Sequence, residues 1–265
     1  MYFSKHGVGR RSVVFIHGYS CSSVDWRKQI DLPITDAELI AVDLRGHGKT
    51  GGGHSGMTIA ELADDIVNFV GAIQNKEFIL VGHSMGTRIA LEVARQRPDL
   101  IAGLALLDGS SSPGNVPKFR SEVSDEVQRL GACQFNVSLL EATIMSGLSH
   151  EDRRRIFDRV DSLSGDMTIG LLTAMCEWDT VSSKAAIGSI GIPTLIVQST
   201  SILSDATGER TFANLAPDSA WLRLWRSHPN ARIELLSNVG HFCMLEDPIT
   251  VNRHLADFCN SLTRS

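Results

Sequence analysis

Two kinds of apolar pattern take turns along this chain. Short β-prone runs stand at Val13–Ile16, Leu39–Val42, Phe78–Val81, Leu104–Leu107 and Thr194–Val197, and none of them alternates with polar residues. A strand apolar at every position is one buried on both faces. Between the runs the spacing changes to a helical one. Thr58-x-x-Glu61 reads as a capping box opening a helix with Ile59, Leu62, Ile66, Phe69 and Ile73 on one face. A second helix follows the Phe78–Val81 run and stops before Pro98. Tyr2-Phe3 is a short candidate first strand, and Arg232–Leu236 is the last. Asp247-Pro248 opens a closing helix that faces Val251, Leu255 and Phe258 inward. This alternation predicts an α/β fold built on a mostly parallel, doubly wound sheet. From about Ser110 to Gly188 the strand pattern lapses. There Ser149-x-x-Asp152 caps a helix with Ile156, Val160 and Leu163 inward and Arg153-Arg154-Arg155 turned to water.

Composition narrows the function. A chain of 265 residues, 43% hydrophobic, buries one substantial core or a core plus a small excursion. A net charge of −5 without basic blocks argues against nucleic acid or an anionic membrane surface as the main partner. No apolar run approaches the ~20 residues of a membrane span, and Met1–Lys5 opens no secretory segment. The five cysteines are odd in number and include no C-x-x-C pair. They read as reduced core thiols of a cytoplasmic protein, not as a disulfide framework or a metal site.

Chemistry concentrates where the Phe78–Val81 run meets Gly82-His83-Ser84-Met85-Gly86. A sharp strand-to-helix turn holds a serine hydroxyl outward at the cost of a strained backbone. Glycines on either side of Ser84 allow close approach of neighbouring chain. The helix beginning after Ser84 offers the Met85 N–H and a positive dipole end to a developing oxyanion. A serine hydroxyl needs a neighbouring base at neutral pH. His241, in the late turn Asn238-Val239-Gly240-His241-Phe242, is the candidate.

With His17-Gly18, Asp43-x-Arg45-Gly46-His47-Gly48, Gly82–Gly86 and Gly240-His241-Phe242 in this order at strand ends, the chain resembles the α/β-hydrolases along nearly its whole length. The resemblance implies a sheet of up to eight strands, here with a truncated first hairpin. It also implies a helical cap after the sixth strand, dividing the chain into a core of residues 1–109 and 189–265 and a cap of residues 110–188. Ser84 becomes the nucleophile, His241 the base, and the backbone N–H groups of Tyr19 and Met85 the oxyanion donors. The acid stays open between two positions. Asp108 directly follows the Leu104–Leu107 strand, and Asp205 lies in the irregular stretch after Thr194–Val197. A rigid strand end positions a carboxylate better than a loop does, which favours Asp108. His17, His83, Arg45 and His47 read as bracing for the loops.

The expectation is a serine hydrolase acting on a small, largely apolar ester or lactone, with no metal or organic cofactor. The same triad resembles that of carbon–carbon bond hydrolases, and the fold that of cofactor-independent oxygenases and slow-turnover ligand receptors. Trp26, Trp178, Trp221 and Trp225 are candidates for walls of the substrate pocket or for packing, and Cys176 and Cys243 for neighbours of the site.

Overall fold

Burial of both faces of a central sheet is what the apolar runs accomplish. The computed structural model describes residues 1–73, 77–144, 147–204, 210–214 and 219–262. In chain order the core begins with β1 (Phe3–Gly7), β2 (Arg11–Ile16), β3 (Ala37–Val42), α1 (Ile59–Gly71), β4 (Glu77–His83), α2 (Met85–Gln96) and β5 (Ile101–Leu107). Five helices without a strand follow: α3 (Val116–Leu130), α4 (Ala132–Glu141), α5 (His150–Phe157), α6 (Gly165–Val181) and α7 (Ser183–Gly188). The chain closes with β6 (Thr194–Gln198), a hairpin of β7 (Thr200–Ser204) and β8 (Arg210–Asn214), α8 (Ala220–Trp225), β9 (Ala231–Leu235), α9 (Cys243–Glu246) and α10 (Pro248–Ser261).

Seven strands form the main sheet in the order β1-β3-β2-β4-β5-β6-β9. All neighbours are parallel except β1, which pairs antiparallel with β3 at the edge. The edge strand runs to Gly7, beyond the expected Tyr2-Phe3, and its polar Ser4, Lys5 and His6 gave no apolar signal. Hairpin β7–β8 is a separate two-stranded sheet that the sequence pattern did not predict.

Successive residues of the inner strands point to opposite layers. Val14 and Ile16 join a core with Ile59, Leu62 and Ile66 of α1, Ile89 of α2 and Trp221 and Trp225 of α8. Val13 and Phe15 join the other, with Trp26 and the Val251, Leu255 and Phe258 face of α10. α1 ends at Gly71, so Ile73 lies beyond it, and Val70 takes the innermost place near the helix end. The Thr58–Glu61 capping box is present, with Glu61 N–H donating to Thr58 Oγ1 at 3.1 Å. Asp247 caps α10, whose first residue is Pro248. On α5, Arg153, Arg154 and Arg155 are exposed over a buried Ile156. Among the described residues no helix is long and apolar enough to cross a membrane.

Candidate active site

Register brings the functional strand ends level. Ile16 of β2 pairs with Gly82 of β4, His83 with Leu107 of β5, and Leu107 with Val197 of β6. The residues that follow, His17, Ser84, Asp108 and Gln198, therefore emerge along one edge, the carboxyl ends of parallel strands where open α/β sheets form their crevice.

Ser84 has φ 54° and ψ −116°, a conformation L-residues rarely adopt. The flanking glycines make that turn possible. A Cβ on Gly82 would lie 2.4 Å from the Gly86 carbonyl oxygen, and one on Gly86 would lie 2.2 Å from that of Ile16. Strand β2 and the first turn of α2 thus meet backbone to backbone. Ser84 N–H donates to the Leu107 carbonyl at 3.1 Å, tying the turn to β5.

His241 stands six residues past β9 and is held on several sides. Its Nδ1 lies 2.6 Å from Asp108 Oδ2. Its backbone N–H donates to the Thr143 carbonyl at 2.9 Å, and its own carbonyl accepts from His83 Nε2 at 2.8 Å. One residue earlier, the Gly240 carbonyl accepts from Ser199 Oγ at 2.9 Å and its N–H donates to Glu246 Oε2 at 3.1 Å.

Asp108 is buried, with φ 44°. Oδ1 accepts from the backbone N–H of Ser199 and of Thr200, each at 2.7 Å, and from Gln198 Nε2 at 3.0 Å. Oδ2 accepts from the Thr200 hydroxyl as well as from His241. Burial alone raises a carboxyl's pKa, but the hydrogen bond and charge of His241 and the donors on Thr200 outweigh it, holding Asp108 below the usual carboxylate range. The structure therefore brings Asp108 and His241 together. Asp205 lies outside the described residues.

The bracing histidines are neutral for a common reason. Burial lowers the pKa of His17 well below its ordinary value and that of His47 as well, and lowers His83 to about 3 with help from His241. His17 Nε2 accepts from Leu44 N–H at 3.0 Å, so its Nδ1 carries the proton and donates to the Gly18 carbonyl at 2.8 Å. Arg45 forms a two-armed pair with Asp65, and its carbonyl lies 3.0 Å from His47 Nδ1.

Ser84 and His241 line a cavity of about 590 Å³ roofed by α3, α4 and α6. Its walls are chiefly apolar, among them Phe119, Phe135, Leu139, Leu172, Met175 and Phe242. Among the described residues, neither Tyr19 nor Met85 spends its backbone N–H on a turn or loop carbonyl. The Tyr19 hydroxyl donates to Asn136 Oδ1 at 2.6 Å, and Asn136 Nδ2 to Thr168 Oγ1 at 3.2 Å, so the loop that carries Tyr19 is braced from α4 and α6.

None of the four tryptophans lines this cavity. Trp26 packs on Phe15 with ring centroids 5.0 Å apart, Trp221 on Trp225 at 5.7 Å, and Trp178 Nε1 donates to Glu92 at 3.2 Å. Cys176 does line it. Cys243 does not line it; it is buried near Asp108 and Ser199, and burial pushes its thiol well above the ordinary value. Sequence reasoning missed a buried ion pair in the cavity wall, Arg88 of α2 with Asp179 of α6. Among the described residues no three His, Cys, Asp or Glu side chains group as a metal site, and the described cysteines are all free.

A seven-stranded, mostly parallel sheet with a strained serine between strand and helix, sharing a cavity with a histidine paired to an aspartate, is the architecture of a hydrolase of the α/β class. The chain belongs to the Alpha/beta hydrolase family, whose sequence profile matches residues 13–254. It is 26% identical over 272 residues to YugF of Bacillus subtilis, an uncharacterized hydrolase, covering 94% of this chain and 90% of that one. It is also 26% identical to RutD of Agrobacterium fabrum, which bears a provisional name as a carbamate hydrolase, over 97% of both chains. Among solved structures, the esterase EaEST of Exiguobacterium antarcticum superposes with a TM-score of 0.80 at 17% identity, covering 97% of this chain and 94% of that one. Est816, an N-acyl homoserine lactone degrading enzyme, gives 0.73 at 24% identity over 97% and 96%.

Proposed function

We propose that this hydrolase cleaves small, largely apolar carboxylic esters or lactones through an acyl-enzyme on Ser84. The observation that carries the reading is the 2.6 Å contact of His241 with the buried Asp108, in a site whose apolar cavity also exposes Ser84. Asp108, ionised, holds the proton on Nδ1 of His241 and leaves Nε2 for the serine hydroxyl. Nε2 takes the hydroxyl proton of Ser84 as Oγ bonds to the carbonyl carbon, while the Nδ1 proton stays on the ring, hydrogen-bonded to Asp108. The oxyanion meets the N–H groups of Met85 and Tyr19, each such donor being worth ~2.7–4 kcal/mol in the transition state. His241 then returns the proton to the departing alkoxide, and water repeats the sequence to free the acid. Residues 110–188 act as the cap, and residues 1–109 and 189–265 as the core. A cytoplasmic working location belongs to this reading, and five scattered cysteines without a C-x-x-C pair support it.

A carbamate is the second substrate class, on the strength of the similarity to RutD over 97% of both chains. The same steps apply, with nitrogen on the carbonyl carbon. The test is intact-mass labelling with a serine-reactive fluorophosphonate beside turnover of short p-nitrophenyl esters and carbamates, with Ser84→Ala as control. One label, lost with turnover in the variant, supports the reading. No label and no turnover overturns it, and oxygen uptake or stoichiometric ligand binding then becomes the question.

A further inference from the structure

Arg88 sits one turn along α2 from Ser84, and its side chain is 4% exposed. Nε donates to Asp179 Oδ1 at 2.9 Å and Nη2 to Asp179 Oδ2 at 2.6 Å. Nη2 also reaches Ser110 Oγ at 3.1 Å, while Ser112 N–H donates to Asp179 Oδ2 at 2.8 Å. Asp179 is thereby saturated along the edge it presents. Nη1 is different: among the described residues it has no acceptor, yet Arg88 forms part of the cavity wall. Nη1 is not among the described buried atoms that lack a partner, so it reaches open space, and its two protons are a charged donor that no described protein atom takes up.

We infer that Arg88 Nη1 is a specificity determinant that receives an uncharged hydrogen-bond acceptor, such as a ketone, amide or ether oxygen, on the acyl chain of the substrate. The inference rests on Ser84 being the acyl acceptor. Residues four apart on a helix stand about 5–6 Å apart at Cβ, and the arginine stem extends that reach, so the acceptor belongs several bonds from the reacting carbonyl. It is uncharged because Asp179 already neutralises the guanidinium. A carboxylate at Nη1 would bring a second negative charge close to Asp179 in a low-dielectric, mostly apolar cavity. An acceptor with no formal charge meets the donor without that repulsion.

Three matched p-nitrophenyl esters test this: heptanoate, 6-oxoheptanoate and the adipate monoester. Wild-type enzyme is expected to favour 6-oxoheptanoate over heptanoate by roughly ten- to a hundredfold in kcat/KM, the span of a hydrogen bond to a charged group, with the adipate monoester below both. In the charge-neutral double variant Arg88→Met with Asp179→Leu the first preference collapses toward unity. Calorimetric binding of octane-2,7-dione against octan-2-one asks the same question without turnover and separates the inference from the hydrolytic reading. Esters that turn over with equal kcat/KM, or equal binding of the two ketones, overturn the inference alone. A preference for the adipate monoester overturns it too. Failure of every ester to react overturns the hydrolytic reading, and the ketone pair then decides the fate of Arg88. These wild-type comparisons stand even where the double variant does not fold.

Discussion

His241 Nδ1 and Asp108 Oδ2 lie 2.6 Å apart although 133 residues separate them in the chain. The carboxylate is presented by a rigid β5 end and fastened by donors at the neighbouring β6 end, so the acid half of the pair is oriented by sheet register, while His241 is held in its turn by Thr143 and His83. Asp108→Asn should therefore abolish most turnover. Loss of the Nδ1–H tautomer costs about 10⁴ in kcat in triads of this type. The amide NH₂ would also oppose one of two sets of donors, for about 1–3 kcal/mol of stability. Steady-state kinetics and urea unfolding of the variant check both; wild-type kcat in a folded variant would remove Asp108 from the mechanism.

Tyr19 offers a contrast, since its proposed contribution is a backbone N–H while its side chain braces α4. Tyr19→Phe should leave kcat within a few-fold. It should lower stability by about 1–3 kcal/mol, because Asn136 Oδ1 loses its donor in a buried place. A kcat fall of a hundredfold would give the hydroxyl a chemical role.

Backbone packing at the strained turn predicts a sharp difference between two glycines. Gly86→Ala sets a Cβ 2.2 Å from the Ile16 carbonyl oxygen and 2.8 Å from that of His17. Neither backbone atom yields cheaply, so the loss should reach about 3 kcal/mol or more, roughly ten degrees in Tm. Gly71→Ala, at the end of α1 with nothing within 4 Å, should instead stabilise by about 0.4–1 kcal/mol. Calorimetric melts of both variants make the comparison.

Acid should weaken the fold before it reaches carboxylate range. His17, His47 and His83 all have folded pKa values below the ordinary 6.5, that of His83 at about 3. Below about pH 6.5 the unfolded chain binds protons that the folded chain refuses, so stability falls as pH falls. The slope is up to about 1.4 kcal/mol per pH unit for each histidine. The His83 share lasts down to about pH 3. The depressed Asp108 carboxyl acts in the same direction at lower pH: its contribution is present above the ordinary carboxylate pKa and is lost as pH falls through its folded value. Urea unfolding at pH 7.5, 6, 5 and 4, with and without His83→Gln, measures the slope. A variant slope equal to that of wild type would remove His83 from this account.

The inner strands were legible because both of their faces are buried. Val13 and Phe15 serve one layer and Val14 and Ile16 the other, so no polar residue interrupts the run. The serine turn was legible for a similar reason, since only glycine fits where β2 and α2 meet through their backbones. Asp108 was half legible. Its place at a strand end could be read, but the Ser199 and Thr200 N–H groups that fasten it come from the next strand over, and strand adjacency is not written locally. β1 escaped full notice because an exposed edge strand needs no apolar pattern. The Arg88–Asp179 pair spans 91 residues and has no local signature. A signal existed nonetheless: α2 is buried from Met85 to Ala94, and an arginine inside such a helix requires a partner.

The contact between the His241 N–H and the Thr143 carbonyl has a mechanical meaning. Thr143 lies just past α4, one of the helices that roof the cavity, so the roof and His241 are parts of one linkage. Swinging the end of α4 outward to admit a bulky molecule would pull on the peptide that aims the imidazole, or leave its N–H bare in a buried place. Ligands that enter without disturbing α4 find the histidine already aimed. Larger ones would unsettle it on arrival, so under the proposed mechanism size would be selected through proton transfer as well as through fit.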